Sequence, residues 1–489
     1  MDSSNTTNLG SHLAKSLPES LSIEVFHLAT PVVGAKSLFS SPPGQAPEPT
    51  TKESHFIAVS HKSILIFGIE IVVYVSVKSE KVTVFVSKAD SSGHLPKHAA
   101  SFTPKGPPSA PVSVLRTIAT EAVNYVVDGY RQHAPSSTIT VSLFARSQSQ
   151  YLFPNSASND KKHVLPDQGL IRWWCKVLDP ILQENSATGA QAYALVPGSD
   201  RFQVHKLLPP ISKTAWKHGH PFHVEPERDL TVREVIPHFP DDPKSRFLEE
   251  LNGDSGDQKI SKRDHKWKNV GTVDEFWELM SHRQECSLGR CVGFIWVVVP
   301  GKALGTTVAD SAAKTPSLAD SENSQYQSQE KEANSALPEN IPLPRSPRKR
   351  PASHALGTLS PKKKRQKAPN LVEPAVRKTP IVKATITLDD KRYQRAVDSL
   401  LNHTDFGSPD DAKLSSTKWI QGVSAMWGNL DETTTWGITM KGQVPTCTPA
   451  EIQAARDADS NNLPRIEDIA QKPVNVLSVG LIRKKKKAV

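Results

Sequence analysis

Residues 301 to 378 carry almost no apolar side chains at a helical or strand spacing, and this stretch constrains the fold more than any other feature. Serine, alanine, glutamate, proline and lysine dominate it. Such a segment buries too little apolar surface to offset the loss of chain entropy, so we predict that it is disordered. The ordered structure must therefore come from the residues on either side, as one domain interrupted by an insert.

Changes in composition predict four parts of the chain. They are a folded first part, a disordered basic insert, a folded second part and a polar basic tail, at residues 18–302, 303–380, 381–442 and 443–489. Strand and helix patterns alternate along both folded parts. This alternation predicts an α/β fold in which helices cover a mixed central sheet.

Strand patterns rich in Ile, Val and Phe alternate with amphipathic helical patterns. Strands are predicted at 21–28, 64–67, 69–77, 82–86, 138–144, 291–299, 384–388 and 434–440. Helices are predicted at 112–131, 167–183, from 242 onward, and at 273–284, 389–402 and 409–423. Asp167 is expected to cap its helix, and the Pro/Ser/Thr-rich segment 40–53 is expected to be a loop.

The charge of the chain is concentrated in short basic runs. The formal net charge is +10, and the runs at 348–350, 362–365 and 483–487 account for the excess. Because a local basic excess attracts acidic partners, these runs are expected to contact nucleic acid or an acidic protein. The two runs inside the insert also have the spacing of a bipartite nuclear import signal, which predicts a nuclear protein.

The cysteines and the apolar runs argue against several classes of protein. The 4 cysteines are too scattered for a disulfide framework, so a reducing compartment is expected. Cys286 and Cys291 lack a second pair of ligands, and we predict no metal site. The N-terminus has no secretory pattern, and the apolar run 64–77 is shorter than the roughly 20 residues of a membrane span. We therefore expect no membrane association.

A pair of aspartates begins the helical pattern near residue 242. Asp241 and Asp242 are followed by Pro243 and Lys244. Asp at the N-cap and Pro at the first helical position are ordinary features of a helix start, which is the simpler interpretation. The alternative is a functional carboxylate, because a lysine amine has a pKa of about 10.4 and must lose a proton before it attacks an acyl group.

Two adjacent tryptophans, Trp173 and Trp174, lie on the helix predicted at 167–183. Adjacent helical residues point about 100° apart, so the two rings are not expected to serve one surface. One ring is expected in the core, while the other lines a ligand tunnel or stacks on an adenine. Two core tryptophans are the simpler alternative.

Two further segments combine small, polar and basic residues at the ends of predicted strands. The run 87–93 is typical of a turn, but it would also bring backbone amides close to a cofactor. A helix N-terminus near 111–113 can hold a phosphate. The segment 144–154, with the lysines at 161–162, is either a solvated polar loop or a place where Arg146 contacts a pyrophosphate.

The familiar motifs of several enzyme classes are missing from the sequence. It contains no GxGxxG or GxxxxGK[ST] phosphate loop and no HExxH. It also lacks the Gln/Arg-x-x-Gly-x-Gly loop of the commonest acetyltransferase superfamily. The sequence therefore gives no indication of a phosphate-loop or dinucleotide-binding protein, of a zinc peptidase, or of a member of that one acetyltransferase superfamily.

The polar segments occur together and in order, and the set resembles the fungal histone H3 acetyltransferase family named for the regulation of Ty transposition. The matching segments are Phe85–Asp90, Ser149–Pro154, Lys161–His163, Trp173–Trp174, Phe239–Phe247 and Gly437–Met440. The Phe-Pro-Asp-Asp-Pro-Lys run is the most specific of these. The resemblance covers residues 20–302 and 380–442, and it implies a sheet wrapped by helices, related to the metazoan CBP-type acetyltransferases.

The resemblance also implies roles for individual residues. The residues expected at the acetyl-CoA site are Ala89, Asp90, Ser91, Val112, Ser113, Val114, Phe144, Arg146, Gln148, His163, Val164, Leu165 and Trp173. Asp241, Asp242 and Trp174 are expected beside the acceptor lysine, and Lys244 is expected to become acetylated internally. Asp242 is favoured as the base, because its place at the helix start fixes its position.

The function that the resemblance implies is acetyl transfer from acetyl-CoA to a lysine of histone H3, without a metal. Histones H3–H4 are expected to arrive on chaperones of the anti-silencing and NAP types, in chromatin assembly, transcription regulation and the DNA damage response. The alternative is a non-enzymatic nuclear adaptor whose basic insert and tail bind nucleic acid or an acidic chaperone. A deep tunnel between Phe144, His163 and Trp173 distinguishes the two.

Overall fold

The computed structural model describes most of the chain outside the insert. The described residues are 9–41, 44–106, 110–210, 215–222, 232–253, 272–282, 290–302, 381–383, 385–428 and 434–453. The insert predicted at 303–380 and the basic runs of the insert and tail lie outside these residues. All described elements belong to the unit made of Met1–Leu304 and Thr379–Val489.

The helices of the described residues differ widely in length. They are α1 (Leu9–Ser16), α2 (Val114–His133), α3 (Asp167–Glu184), α4 (Arg201–His205), α5 (Val232–Val235), α6 (Pro243–Gly253), α7 (Val273–Ser281), α8 (Asp390–Asn402) and α9 (Pro409–Met426). Across the described ranges, none of these helices is both long and apolar enough to cross a membrane.

The strands range from two-residue pairs to long, bent strands. They are β1 (Ser22–Ala29), β2 (Val33–Ala35), β3 (Thr50–His61), β4 (Ile64–Ser76), β5 (Lys81–Ser91), β6 (Ser101–Phe102), β7 (Val112–Ser113), β8 (Thr138–Ala145), β9 (Gln191–Leu195), β10 (Trp216–His218), β11 (Gly293–Val299), β12 (Ile381–Lys383), β13 (Thr385–Thr387), β14 (Thr434–Trp436) and β15 (Ile438–Lys441).

Most of these strands form one mixed sheet. Its order is β10-β9-β11-β8-β5-β4-β3-β1-β13, with β15 also paired to β1 and β2 to β3. The pairs β10–β9, β5–β8 and β1–β13 are parallel, and the others are antiparallel. The predicted fold class, a mixed central sheet wrapped by helices, is confirmed.

Alternating side chains place separate cores on the two faces of this sheet. On β3, Ile57 and Val59 join the core that contains α1, α2 and α3, whereas Phe56 and Ala58 join the core that contains α8 and α9. Side chains also alternate along β11, where one set joins the first core and the other joins a third cluster around α7. Both faces of the central strands are therefore buried.

Residues from both sides of the insert complete the same sheet edge. Strand β1 pairs in parallel with β13 through His27–Ala29 and antiparallel with β15 through Ser22–Val25. The polar tail predicted from residue 443 also begins with a bound segment. Val444 N–H donates to the Leu17 carbonyl at 2.9 Å, and Lys105 N–H donates to the Pro445 carbonyl at 3.0 Å.

Several predicted boundaries were wrong for identifiable reasons. Strand β3 was not predicted, because the polar residues of its first half hide the alternation, and Thr50–Glu53 are strand rather than loop. The patterns at 64–67 and 69–77 form the single strand β4. Gly68 lies between them, and a Cβ there would meet the Leu152 side chain at 3.2 Å. The pattern at 434–440 is two strands separated by Gly437.

The start of α3 also differs from the prediction. Its N-cap is Pro166, whose ring has no hydrogen-bond acceptor to cap the helix, and Asp167 is the first helical residue. The Asp167 carboxylate instead accepts hydrogen bonds from Arg290 Nε at 3.1 Å and from Cys291 N–H at 3.2 Å. Asp167 therefore ties α3 to the chain just before β11.

We expect Gly437→Ala to lower the free energy of unfolding by at least about 1–2 kcal/mol, the usual cost of left-handed backbone in an L-residue. Gly437 has a φ of +93°, and a Cβ there would come within 2.5 Å of the Phe26 ring. Gly129 in α2 has nothing within 4 Å of its Cβ position, so Gly129→Ala is the control and should stabilise slightly. Equal melting temperatures for the two variants would show that the Gly437 backbone and the Phe26 ring impose no such constraint.

Candidate functional site

The site begins where two parallel neighbours in the sheet separate. β5 and β8 pair up to Val86 and Leu143. Beyond that point β5 continues to Ser91 along β4, and β8 continues to Ala145 along β11. Ligands of open α/β sheets bind in crevices outside the carboxyl ends of parallel strands. The divergence of β5 and β8 creates such a crevice.

A one-residue β-bulge at Ser87 lies at the point of divergence. On β4, Ile71 pairs with Val86, but the next residue, Glu70, pairs with Lys88, so that Ser87 is the extra residue. A bulge bends its strand and increases the local twist. It therefore turns the end of β5 away from β8. The strand predicted to end at residue 86, with a turn after it, in fact continues through the bulge.

A cavity of about 720 Å³ fills the space between the separated strands. Several elements line it: the end of β5, the segment after β8, the segment before α3, α3 itself and the turn before α6. The predicted site residues that line it are Ala89, Asp90, Ser91, Ser113, Phe144, Arg146, Gln148, His163, Val164, Leu165, Trp173, Trp174 and Asp241. Lys88, Tyr151 and Arg246 line it as well, although they were not predicted as site residues.

Four predicted site residues are not among the lining residues of this cavity: Val112, Val114, Asp242 and Lys244. Val114 is fully buried in the core beneath the sheet. Between the two valines, Ser113 caps α2 by accepting the Arg116 N–H. Only the middle residue of the predicted segment 112–114 therefore reaches the cavity.

The chemistry of the cavity walls suits a long ligand with an apolar part and an anionic part. Phe144, Leu165 and Trp173 contribute apolar surface, while Arg146 and His163 contribute groups that can donate hydrogen bonds to phosphate oxygens. Ligand sites are typically apolar with a few placed polar groups. The combination fits a nucleotide that carries a long uncharged arm, such as a coenzyme A thioester.

Both tryptophans of α3 line the cavity, so the prediction that they cannot share a surface was wrong. Their ring centroids lie 5.0 Å apart at an interplanar angle of 85°. Trp174 is buried while Trp173 is partly exposed. Adjacent residues are only about 100° apart around the helix axis, and indole rings are large, so both rings can reach the same cavity. Their edge-to-face packing makes a rigid wall.

Asp90 organises one side of the cavity through the backbone. One carboxylate oxygen accepts hydrogen bonds from Ser91 N–H at 2.7 Å and Lys162 Nζ at 2.9 Å. The other accepts from the N–H groups of Tyr151 at 2.8 Å and Leu152 at 3.1 Å. All these donors belong to segments beside the cavity. The Asp90 side chain therefore holds the wall in place.

The turn before α6 presents one aspartate to the cavity and withdraws the other. Phe239 anchors this turn by stacking on Phe85 of β5, with ring centroids 4.1 Å apart. Asp241 has a left-handed φ of +56°, which aspartate tolerates better than most residues. Its side chain is exposed at the lining, whereas the Asp242 side chain is fully buried.

Asp242 and Lys244 form a buried pair behind the cavity wall. Lys244 Nζ bonds the Asp242 carboxylate, which also accepts the Lys244 backbone N–H at 3.0 Å. Burial raises the pKa of Asp242 and lowers the pKa of Lys244, against the mutual attraction of their charges. Phe239 and Phe294 face the ammonium at 4.7 and 5.5 Å. Lys244 is thus easier to deprotonate than an exposed lysine.

Metal ligands do not gather in the described residues. No group of three or more His, Cys, Asp or Glu side chains within the described ranges has an arrangement that could hold a metal ion. The free cysteines among them are Cys175, Cys291 and Cys447. Cys286, which was weighed with Cys291 as a possible metal ligand, lies outside the described residues.

Fold and cavity together define an α/β protein with a ligand site at the carboxyl ends of two diverging parallel strands. A family model described as the histone acetyltransferase KAT11-type domain matches residues 9–138 and 132–422, well over half of the chain. The chain therefore belongs to the KAT11-type histone acetyltransferase family. The family membership predicted from the polar segments is confirmed.

Individual relatives agree with this membership. The chain is 38% identical over 344 residues to the histone acetyltransferase rtt109 of Aspergillus flavus, across 63% of this chain and 59% of that protein's length. It is 33% identical over 299 residues to the histone acetyltransferase rtt109 of Schizosaccharomyces pombe, across 58% and 69%. The crystal structure of Rtt109 from Aspergillus fumigatus matches with a TM-score of 0.64 at 30% identity, covering 90% of this chain and 100% of that one.

We expect Asp90→Asn to lower the stability of the cavity wall by about 1.5–3 kcal/mol, the usual contribution of hydrogen bonds to a charged group. The amide nitrogen of asparagine cannot accept the hydrogen bonds that one carboxylate oxygen receives. Hydrogen exchange of the Tyr151 and Leu152 amides should accelerate. Asp160→Asn is the control, because Asp160 is exposed in the same segment of the chain. Unchanged protection in the Asp90 variant would refute this role.

Proposed function

We propose that this protein transfers the acetyl group of acetyl-CoA to a lysine of histone H3. The observation that carries the proposal is the cavity between β5 and β8, in which apolar walls, cationic groups and an exposed aspartate meet. Membership of the KAT11-type family supports the same reaction. The histone acetyltransferases named among its relatives support histones as the substrate class.

The residues of the cavity suit the demands of acetyl transfer. Acetyl-CoA supplies an acetyl thioester, whose carbon–sulfur bond breaks as the lysine nitrogen bonds the carbonyl carbon. The amine gives up a proton to a base, and the departing thiolate takes one up. The walls built by Phe144, Leu165 and Trp173 exclude water from the thioester, which limits wasteful hydrolysis.

Asp241 is the proposed carboxylate beside the acceptor amine. It is exposed at the cavity lining, so an incoming ammonium can approach it. The nearby Trp174 wall is proposed to hold the aliphatic part of the acceptor side chain, since that part is apolar. Asp242, favoured from the sequence, is fully buried and bonded to Lys244, which leaves it unsuited to contact a substrate directly.

Lys244 is proposed to become acetylated by the enzyme itself. Burial lowers its pKa, so its amine loses a proton more readily than that of an exposed lysine. Acetylation would remove the charge of Lys244 and free the Asp242 carboxylate to bond the new amide N–H. Because the pair is fully buried, a local opening of the turn at 240–243 must precede the reaction.

The wider setting follows from the same proposal. We propose a nuclear enzyme that receives H3–H4 from histone chaperones of the anti-silencing and NAP types, in chromatin assembly and the DNA damage response. The basic runs at 348–350 and 362–365 are the proposed import signal. The rival function is an adaptor without catalysis. The cavity counts against this rival, because an adaptor that binds through basic segments needs no such space.

The direct test of the proposal is acetyl transfer by the full chain. Purified protein is incubated with radiolabelled acetyl-CoA, H3–H4 and a histone chaperone, and label on H3 is measured together with label on Lys244. We expect label on both. Binding of H3–H4 without any transfer would favour the adaptor and overturn the enzyme.

The two neighbouring aspartates should respond differently to loss of charge. We expect Asp241→Asn to lower turnover by about 10²–10⁴-fold, as for a positioned acid or base, with an unchanged melting temperature. Asp242→Asn leaves Lys244 buried without its counter-charge, so we expect a loss of stability of up to about 3–5 kcal/mol. Turnover and thermal unfolding of both variants separate the roles. Wild-type turnover in the Asp241 variant would place the base elsewhere.

A further inference from the structure

Glu70 is a buried carboxylate in the middle of the apolar strand β4, and it is 3% exposed. One of its oxygens accepts a hydrogen bond from the Tyr393 hydroxyl at 3.1 Å. The other accepts from the Ser87 hydroxyl at 2.8 Å and from the Lys88 ammonium. A buried charge of this kind persists only when it is paired and hydrogen-bonded. Glu70 therefore connects α8 to the bulge of β5.

Tyr393 supplies the outer end of this connection. It lies on α8, which follows the insert in the sequence, and it is fully buried. Burial, followed by the charge of Glu70, raises the pKa of its phenol well above the usual value. The hydroxyl therefore keeps its proton at neutral pH and remains a hydrogen-bond donor to Glu70.

Lys88 supplies the inner end, because it both pairs with Glu70 and lines the cavity. Burial opposes its charge, but the pKa of Lys88 is raised on balance by Glu70, with smaller contributions from Tyr151 and Asp241. Lys88 thus stays an ammonium. Glu70 holds it from within the sheet, and Tyr151 and Asp241 line the same cavity.

We propose that Tyr393, Glu70 and Lys88 form a positioning relay, in which the first two fix the Lys88 ammonium in the cavity lining and its charge orients the Asp241 carboxylate of the same lining at the acceptor end. The inference rests on the proposed function, because acetyl transfer defines that end. Glu70 fixes Lys88 through a direct ion pair, whereas the Lys88 ammonium acts on the Asp241 carboxylate by charge attraction within the shared lining. The helix after the insert thereby acts on the reacting end of the site.

A simpler role for Lys88 is to neutralise a buried glutamate and nothing more. That role predicts a loss of stability when the relay is broken, with normal turnover in the protein that remains folded. The positioning role predicts a lower kcat with an unchanged KM for acetyl-CoA, since Asp241 acts on the acceptor lysine and not on the cofactor. The two roles therefore differ in a kinetic measurement.

The first variant to test is Tyr393→Phe, which removes one oxygen from the outer end of the relay. Its matched control is Tyr130→Phe, since the Tyr130 hydroxyl also donates to a glutamate, Glu53, at 2.7 Å. Neither Tyr130 nor Glu53 is among the lining residues of the cavity. We expect Tyr393→Phe to lower kcat by several-fold and Tyr130→Phe to leave kcat unchanged, with melting temperatures measured for both.

The inner end is tested with Lys88→Met and Lys88→Arg. We expect Lys88→Met to lower kcat by about 10- to 100-fold, the scale of misplaced reacting groups. Lys88→Arg keeps the charge and should recover part of this loss. The double variant Lys88→Met with Tyr393→Phe should be no slower than Lys88→Met alone, because residues acting through one network are not additive.

Each outcome decides between the relay and its rivals. If the wild-type protein transfers no acetyl group, both the proposed function and the relay are overturned. Normal wild-type turnover with unchanged kcat in Tyr393→Phe and Lys88→Met overturns the relay alone. A raised KM for acetyl-CoA at normal kcat assigns Lys88 to cofactor binding and also overturns it. If Lys88→Met does not fold, the comparison of Tyr393→Phe with Tyr130→Phe decides.

Discussion

The separation of β5 from β8 is the structural feature on which the site depends. Two parallel strands that stay paired to their ends leave no room between them, whereas these two part after Val86 and Leu143. The bulge at Ser87 produces the bend, and the buried Glu70 carboxylate bonds both Ser87 and the next residue, Lys88. A single polar residue inside an apolar strand thus stabilises the geometry that opens the cavity.

Carboxylate–lysine pairs that are buried or partly buried recur around this opening. Glu70 pairs with Lys88 at the bulge, Asp90 with Lys162 at the wall, and Asp242 with Lys244 behind the turn. Each carboxylate also accepts backbone or hydroxyl hydrogen bonds, which reduces the cost of its burial. Two of the pairs fix segments outside the sheet, namely the loop that carries Lys162 and the turn before α6. Asp241 differs, since its carboxylate remains exposed at the lining and accessible to a substrate.

Much of the fold was predictable because its longer elements have strong local patterns. α2, α3, α8 and α9 were predicted with small boundary errors, and motif resemblance gathered many residues that do line one cavity. The missed features depend on partners distant in sequence. The polar half of β3 is strand only because β1, β2 and β4 flank it. Likewise, Asp241 and Asp242 look alike in sequence, and which one faces the cavity depends on tertiary packing, in which Phe239 stacks on Phe85 and Asp242 pairs with Lys244.

The melting temperature of the protein with and without saturating acetyl-CoA tests the role of the cavity most directly. A ligand at 100 times its Kd stabilises the folded state by about 2.7 kcal/mol, so a clear rise is predicted for the wild-type protein. Ala89→Trp places a large ring in the cavity that Ala89 lines, and it should abolish the rise without unfolding the protein. A wild-type protein that shows no rise, or an Ala89→Trp variant that shows the full rise, would contradict the assignment of this cavity to acetyl-CoA.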